Sequence, residues 1–360
     1  MWIILELELL KQLTEAKGAP GYEQDVRKIM KEELEKVQTN IVYDNMGSIF
    51  GIKKGNETGP KIMLAGHLDE VAFMVKEITK EGYLRFTPLG GWWEQVLLSQ
   101  RVSVVTEKRT YTGVIGSKPP HILTPKERKK VYPMKEMFID VGARDREQVK
   151  SWGIRVGDPI IPICPFELLP DNDTILAKAL DNRAGCFLAV EVLKQLKDAQ
   201  HDNIVYAGAT VQEEVGLRGA TTAPYIIEPD VAFALDVGVA QDGPGGNENK
   251  PGLGKGPIVT FLDATMIPNT RFRDLVVDTA EKHNIPYQPD VMTGGGTDAG
   301  KFHLFKNGVP SIVIGVPSRY IHSHVSMISK KDLENAAKLL VEVIKQLDEP
   351  KMKSISYKYD

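Results

Sequence analysis

The sequence specifies an α/β protein: a mostly parallel central sheet flanked by helices, interrupted by an inserted β-rich second domain. Two patterns lead there. The runs KIMLAG (61–66), NIVYAGATV (203–211), DVAFALDVG (230–238) and PSIVIGV (310–316) are nearly continuously apolar rather than alternating, as strands buried on both faces are. Around them, segments 21–37, 182–199 and 329–349 carry apolar residues at three- and four-residue spacing, the period of an amphipathic helix. Strands alternating with helices build βαβ units and a parallel sheet.

Taken in order, the start MWIILELELLKQL is apolar, but Glu6 and Glu8 interrupt it and no cleavage site follows. It reads as a first amphipathic helix, not a signal peptide. Helix 182–199 follows Asp181, a residue suited to capping, and helix 329–349 opens with Ser329 and Asp332 at capping-box spacing. Residues 71–164 differ in texture: short β-like pieces separated by Gly, Pro and charged turns, with a helix expected in 143–153 and an exposed loop at 124–130. The chain thus divides into an α/β domain, 1–70 with 165–360, and an inserted β-rich domain, 71–164.

Composition narrows the function. With 360 residues, 42% hydrophobic and 26% charged, the chain can bury a large core. A net charge of −3 argues against a nucleic-acid partner. No run approaches the roughly 18 apolar residues of a membrane span. The two cysteines, Cys164 and Cys186, form no disulfide framework and fit a reducing cytoplasm.

Chemistry gathers where the apolar runs end. KIMLAG leads into His67 and Asp69, NIVYAGATV into Glu213 and Glu214, DVAFAL into Asp236, PSIVIGV into His322 and His324, and TILAKAL into Asp181. In open α/β sheets the functional crevice lies outside the carboxyl ends of the strands. Singly, each residue has an ordinary reading: Asp181 a helix cap, His67 a structural histidine, Asp236 a turn residue. Together they put so many carboxylates at one edge that repulsion calls for cations. Mixed histidine and carboxylate donors suit zinc, cobalt or manganese better than calcium or magnesium. For the adjacent Glu213 and Glu214, strand alternation lets one grip a cation while the other stays free.

Other chemistries fit less well. Gly295 to Lys301 satisfies the spacing of a phosphate loop, but Phe302 stands where a Ser or Thr is required. No G-x-S-x-G elbow exists for a serine nucleophile.

The segments AGHLDEV, KALDNRAGC, VQEEVGLRGA, ALDVGVA, GGGTDAG and RYIHSH resemble, in order and over nearly the whole chain, the motif series of the tetrahedral (TET) aminopeptidases. These dinuclear metallopeptidases also carry the labels glutamyl aminopeptidase and endoglucanase-M-like. The resemblance implies a zinc-peptidase-like α/β fold and a cytoplasmic enzyme that hydrolyses N-terminal residues from peptides. It implies two divalent ions per subunit, zinc first, with cobalt or manganese as alternatives. His67 and Asp236 would hold one metal, Glu214 and His322 the second, and Asp181 would bridge them. Asp69 would orient His67, and Glu213 would be the general base. His322 is preferred to His324 because it follows RYI. His121, His201, His283 and His303 stand outside the motifs, and Asp298 would help shape the substrate pocket. The inserted domain would build dimers that assemble into a dodecamer, with Trp92 and Trp93 at the interface or in the core. The endoglucanase label leaves a glycoside hydrolase as the alternative; that chemistry needs two flanking carboxyl groups and no histidines.

Overall fold

The computed structural model describes residues 5–37 and 40–359. Residues 1–4 of the expected first helix lie outside the described residues; within them, that helix spans Leu7–Glu15 and buries Leu9, Leu10 and Leu13.

In chain order the strands are Asn40–Tyr43 (β1), Ile49–Lys54 (β2), Lys61–His67 (β3), Ala72–Ile78 (β4), Leu84–Leu89 (β5), Arg101–Val105 (β6), Thr110–Gly116 (β7), Phe138–Asp140 (β8) and Pro159–Pro162 (β9). They continue with Glu167–Leu168 (β10), Thr174–Ala177 (β11), Ile204–Thr210 (β12), Val231–Val239 (β13), Ile258–Leu262 (β14), Gln288–Val291 (β15), Ser311–Arg319 (β16) and Ser326–Ser329 (β17). One large sheet runs β1-β2-β12-β3-β13-β16-β17-β11-β10, with β14 on β16 and β15 beyond it. Its four central strands, β12, β3, β13 and β16, are parallel, as expected. The flanking strands β2 and β17 pair with them antiparallel.

The apolar runs lie at the centre because both faces are covered. Along β3, Ile62 and Leu64 enter one core with Phe187 and Val190, while Met63 and Ala65 enter another with Ala220 and Phe302, the period-two alternation of a strand. The helix Leu180–Gln195 is buried nearly all round, which explains its weak amphipathicity. It approaches β3 at a place only glycine allows: a Cβ on Gly66 would stand 2.5 Å from Cys186 N. Register then fixes the site. Thr210 pairs with His67, and Asp236 with Gly315, so the parallel strands end along one edge.

The segment between β3 and β10 closes on itself as a six-stranded barrel, β4-β5-β8-β7-β6-β9, around its own core of Phe73, Val104, Ile115, Ile139 and Ile160. The helix expected in 143–153 is Arg146–Ser151, capped by Asp145, which accepts from Gln148 N at 2.8 Å. Residues 124–130 are exposed, yet Pro125–Arg128 forms a helical turn with a reciprocal Thr124–Glu127 capping box. The tryptophan pair divides: Trp92 stacks on Phe73 at 4.5 Å, and Trp93 is 62% exposed.

Two helix starts differ from expectation. Asp181 does not cap its helix; Asn182 does, accepting from Gly185 N at 2.9 Å. The helix after β17 is Lys330–Ile344, and Asp332 makes no capping box. It is fully buried and accepts instead from Gly254 N and Gly256 N, each at 2.7 Å, backbone amides that its carboxylate satisfies. Asp173 supplies the cap, taking Lys330 N on its carbonyl and Lys331 N on Oδ1.

Candidate metal centre and active site

Of the eight residues singled out at the strand ends, all but His324 converge on one cleft edge. His67 ends β3. Its Nδ1 lies 3.1 Å from the Asp69 carbonyl oxygen and 3.5 Å from Asp69 Oδ1, so an Nδ1–H donates there and Nε2 faces the cluster. Asp181 sits between two histidines: Oδ1 is 3.2 Å from His67 Nε2, and Oδ2 is 3.5 Å from His322 Nε2. Glu214 Oε2 lies 3.5 Å from His322 Nε2, Glu213 Oε2 lies 3.8 Å from His67 Nε2, and Asp236 Oδ1 stands 4.0 Å from the same nitrogen.

The glutamate pair reaches the cluster by a route that strand alternation does not describe. β12 stops at Thr210, and Gln212 takes a left-handed conformation, φ 55°. Glu213 and Glu214 therefore lie in a turn beyond the strand. Asp69 clamps that turn: its Oδ1 accepts from Glu213 N at 2.9 Å and its Oδ2 from Glu214 N at 3.0 Å. The Asp69 carboxylate thus holds both glutamate amides, and its backbone carbonyl makes the closer contact to His67. Behind it, Glu70 accepts from Lys178 Nζ at 2.7 Å and Arg183 Nη2 at 3.1 Å, a buried but paired charge group that ties this turn to the neighbouring helix.

The electrostatics record a shortage of positive charge. Burial pushes the Glu214 carboxyl up to about 8, with Asp181 adding to the effect. Burial likewise pushes Asp236 up to about 8, again reinforced by Asp181. Glu213 is raised well above the usual range by burial and then by Asp236 and Asp298. Burial works against the His322 imidazolium, yet Asp181 and Glu214 outweigh it and raise that histidine to about 9. Asp181 is held low despite its burial because His322 and His67 both face it. Glu214 Oε1 is buried without a hydrogen-bond partner among the described residues. Two sets, His67–Asp181–Glu214 and His67–Glu213–Asp236, each bring donor atoms within 4.8 Å of one another. Mixed imidazole and carboxylate donors, an orphaned oxygen and unrelieved repulsion fit divalent cations.

A family model, M42 glutamyl aminopeptidase, matches residues 47–339, and a shorter one, AMPT, matches 6–30. The chain belongs to the M42 glutamyl aminopeptidase family. It is 36% identical to a glutamyl aminopeptidase of Lactococcus lactis subsp. cremoris (strain MG1363), covering 96% of this chain and 98% of that protein. Its structure resembles the TET aminopeptidase of the marine sediment archaeon Thaumarchaeota archaeon SCGC AB-539-E09, with TM-score 0.94, 47% identity and coverage of 97% and 99%. It also resembles the Pyrococcus horikoshii TET1 peptidase, which can assemble into a tetrahedron or a large octahedral shell, with TM-score 0.85, 32% identity and coverage of 95% and 99%. The chain is an M42 aminopeptidase, a hydrolase, and the endoglucanase alternative gains nothing: one aspartate shared by two histidines serves no glycosidic step.

Within the M42 framework the remaining features fall into place. His322 has a left-handed backbone, φ 57°, so RYIHSH is not extended and His322 and His324 part. His324 is buried beside the Trp92 ring, 5.2 Å away, and burial pulls it down to about 4. The glycine run 294–296, which follows β15, lines the cleft, and Lys301 is not in the lining. Asp298 accepts the Thr210 hydroxyl on Oδ2 and leaves Oδ1 buried without a partner.

One feature stood outside every motif. Gly90 and Gly91, at the barrel's edge, press on the cluster: a Cβ on Gly90 would lie 3.1 Å from Glu214 Oε2, and one on Gly91 3.1 Å from His322 Nδ1. Nothing in a Gly-Gly pair within the insert marks it as part of the site. No helix among the described residues is long and apolar enough to cross a membrane.

Proposed function

We propose that this M42 member is a cytoplasmic aminopeptidase that removes N-terminal residues from peptides using two divalent cations, zinc before cobalt or manganese. The arrangement that carries this reading is Asp181, with one carboxylate oxygen toward each of two histidines from different strand ends. His67 and Asp236 would hold one ion, Glu214 and His322 the other, and Asp181 would serve both. Bound there, such ions polarise a carbonyl and lower the pKa of water towards neutrality. The chain's own groups do the rest. Asp69 fixes the glutamate turn and, through its carbonyl, the His67 ring. Glu213 takes a proton from the attacking water and passes it to the leaving amine. The acidic rim attracts the free α-ammonium of a peptide, which favours action at chain ends.

Metal analysis combined with turnover of aminoacyl nitroanilides tests this reading. We expect two ions per chain, loss of activity on chelation, and recovery on adding zinc, cobalt or manganese. Activity that survives complete chelation would sink it.

We further assign the barrel, within an inserted domain of residues 71–164, to self-association into dimers and from dimers into a dodecamer; 1–70 and 165–360 form the catalytic part. Supporting this, the barrel segment exposes Trp93 at 62%, Ile122 at 64%, Val131 at 48% and Val114 at 41%, apolar surface of the kind that marks interfaces. Light scattering should report a particle many times heavier than the 39.9 kDa chain; a monomer at micromolar concentration contradicts the assignment.

A further inference from the structure

Resting on the aminopeptidase reading above, we propose that the pocket for the substrate's N-terminal side chain takes an uncharged aliphatic group of leucine or methionine size. It does not take the carboxylate of glutamate, for which the family is named, or the ammonium of lysine.

The cleft that opens from the cluster holds about 660 Å³. Beyond the cluster its walls are Leu217, Val237, Val239, Met292 and Ile321, with Thr265 and Thr297 as uncharged polar contributions. These come from the turn after β12, the end of β13, the strand β15 exit and the segment after β16. The glycines beside Met292 keep the wall open: a Cβ on Gly294 or Gly295 would meet nothing within 4 Å.

Charge recognition needs a partner, and the lining offers none to spare. It contains no lysine or arginine, and its two histidines, His67 and His322, belong to the cluster. Of the guanidiniums close in sequence to the wall residues, Arg218 is exposed, outside the lining, and donates to Gln212 Oε1 at 3.0 Å, and Arg319 is committed to Asp242 at 2.8 and 2.6 Å. A glutamate side chain would enter an apolar wall with no lysine or arginine in the lining to pair with it. A lysine side chain fares no better outside the cluster. Asp263 Oδ1, below Thr265, already accepts from Thr265 N, Thr265 Oγ1 and Met266 N at 2.7 to 2.8 Å. Burying a charge without a partner is costly, whereas each methylene placed on an apolar wall contributes roughly 10-fold or more in discrimination.

The test is a panel of leucyl, methionyl, alanyl, glutamyl and lysyl p-nitroanilides on the metal-loaded full chain. Leucyl and methionyl kcat/KM should exceed each of the others by at least about 10-fold. Glutamyl or lysyl turnover equal to or above leucyl overturns the pocket proposal and leaves the aminopeptidase reading standing. Failure to cleave any member removes both. A variant probes the wall itself. Met292→Lys places a cation in the pocket without touching the cluster, so the glutamyl-to-leucyl ratio should rise at least about 10-fold, with bound metal per chain unchanged. An unmoved ratio in a folded, metal-replete variant overturns the wall assignment and the proposal with it.

Discussion

Replacing Asp181 by alanine is expected to abolish hydrolysis and to strip metal from both positions at once. The reason is its placement. One carboxylate faces His67 Nε2 with Oδ1 and His322 Nε2 with Oδ2, so in the proposed ligand set it is the group that would serve both ions. In the metal-free chain its loss removes the carboxylate that His322 and His67 hold low, and also removes a charge that helps push Glu214 and Asp236 up to about 8. A carboxylate held below its ordinary range stabilises the folded state at neutral pH, so the pairing outweighs the repulsion and the metal-free variant should melt somewhat below the metal-free parent. Added metal should separate them. A ligand present at 100 times its dissociation constant stabilises the folded state by about 2.7 kcal/mol, and the parent should show that rise in Tm while Asp181→Ala shows none. Metal analysis, melts with and without metal, and turnover together decide it. A variant that kept two ions per chain would refute the assignment of Asp181 as the shared ligand.

The same residues show where reading from sequence succeeds and where it stops. β3, β12, β13 and β16 were legible because they are buried on both faces, which leaves an unbroken apolar run. β1 and β2 were not singled out: β1 is short and partly exposed throughout, so it carries no such run. The site residues were legible as types at strand ends, but their roles depend on backbone turns that composition does not encode. Glu213 and Glu214 look like an alternating strand pair; a left-handed Gln212 and the Asp69 clamp make them a turn instead. Asp332 has the spacing of a helix cap, yet two distant glycine amides claim it. Gly90 and Gly91 matter only because the barrel closes against the cluster, a long-range fact invisible in the local sequence.

Glu213→Gln and Glu214→Gln should fail in different ways, although the residues are neighbours held by one aspartate. Glu214 has the contacts of a ligand: Oε2 is 3.5 Å from His322 Nε2, it shares a donor set with His67 and Asp181, and its other oxygen has no partner. Converting it to an amide replaces an anionic oxygen with a neutral one at the cation. The Glu214→Gln enzyme should lose metal and regain part of its activity when metal is supplied in excess. Glu213 stands farther from a histidine, 3.8 Å from His67 Nε2, and it too belongs to a possible donor set, with His67 and Asp236. Geometry alone therefore admits a ligand role for it, and the two variants separate the cases. As the proton carrier, Glu213 contributes roughly 10²–10⁴-fold in rate and nothing to retention of the ions. Glu213→Gln should keep its full metal content and a near-parental KM while kcat falls by that factor, because the amide preserves shape and removes only the basic oxygen. Asp69 holds both backbone amides in either variant, so the turn itself should not move. If Glu213→Gln proves to be the enzyme that loses metal, and Glu214→Gln the one that keeps it, the two roles are exchanged.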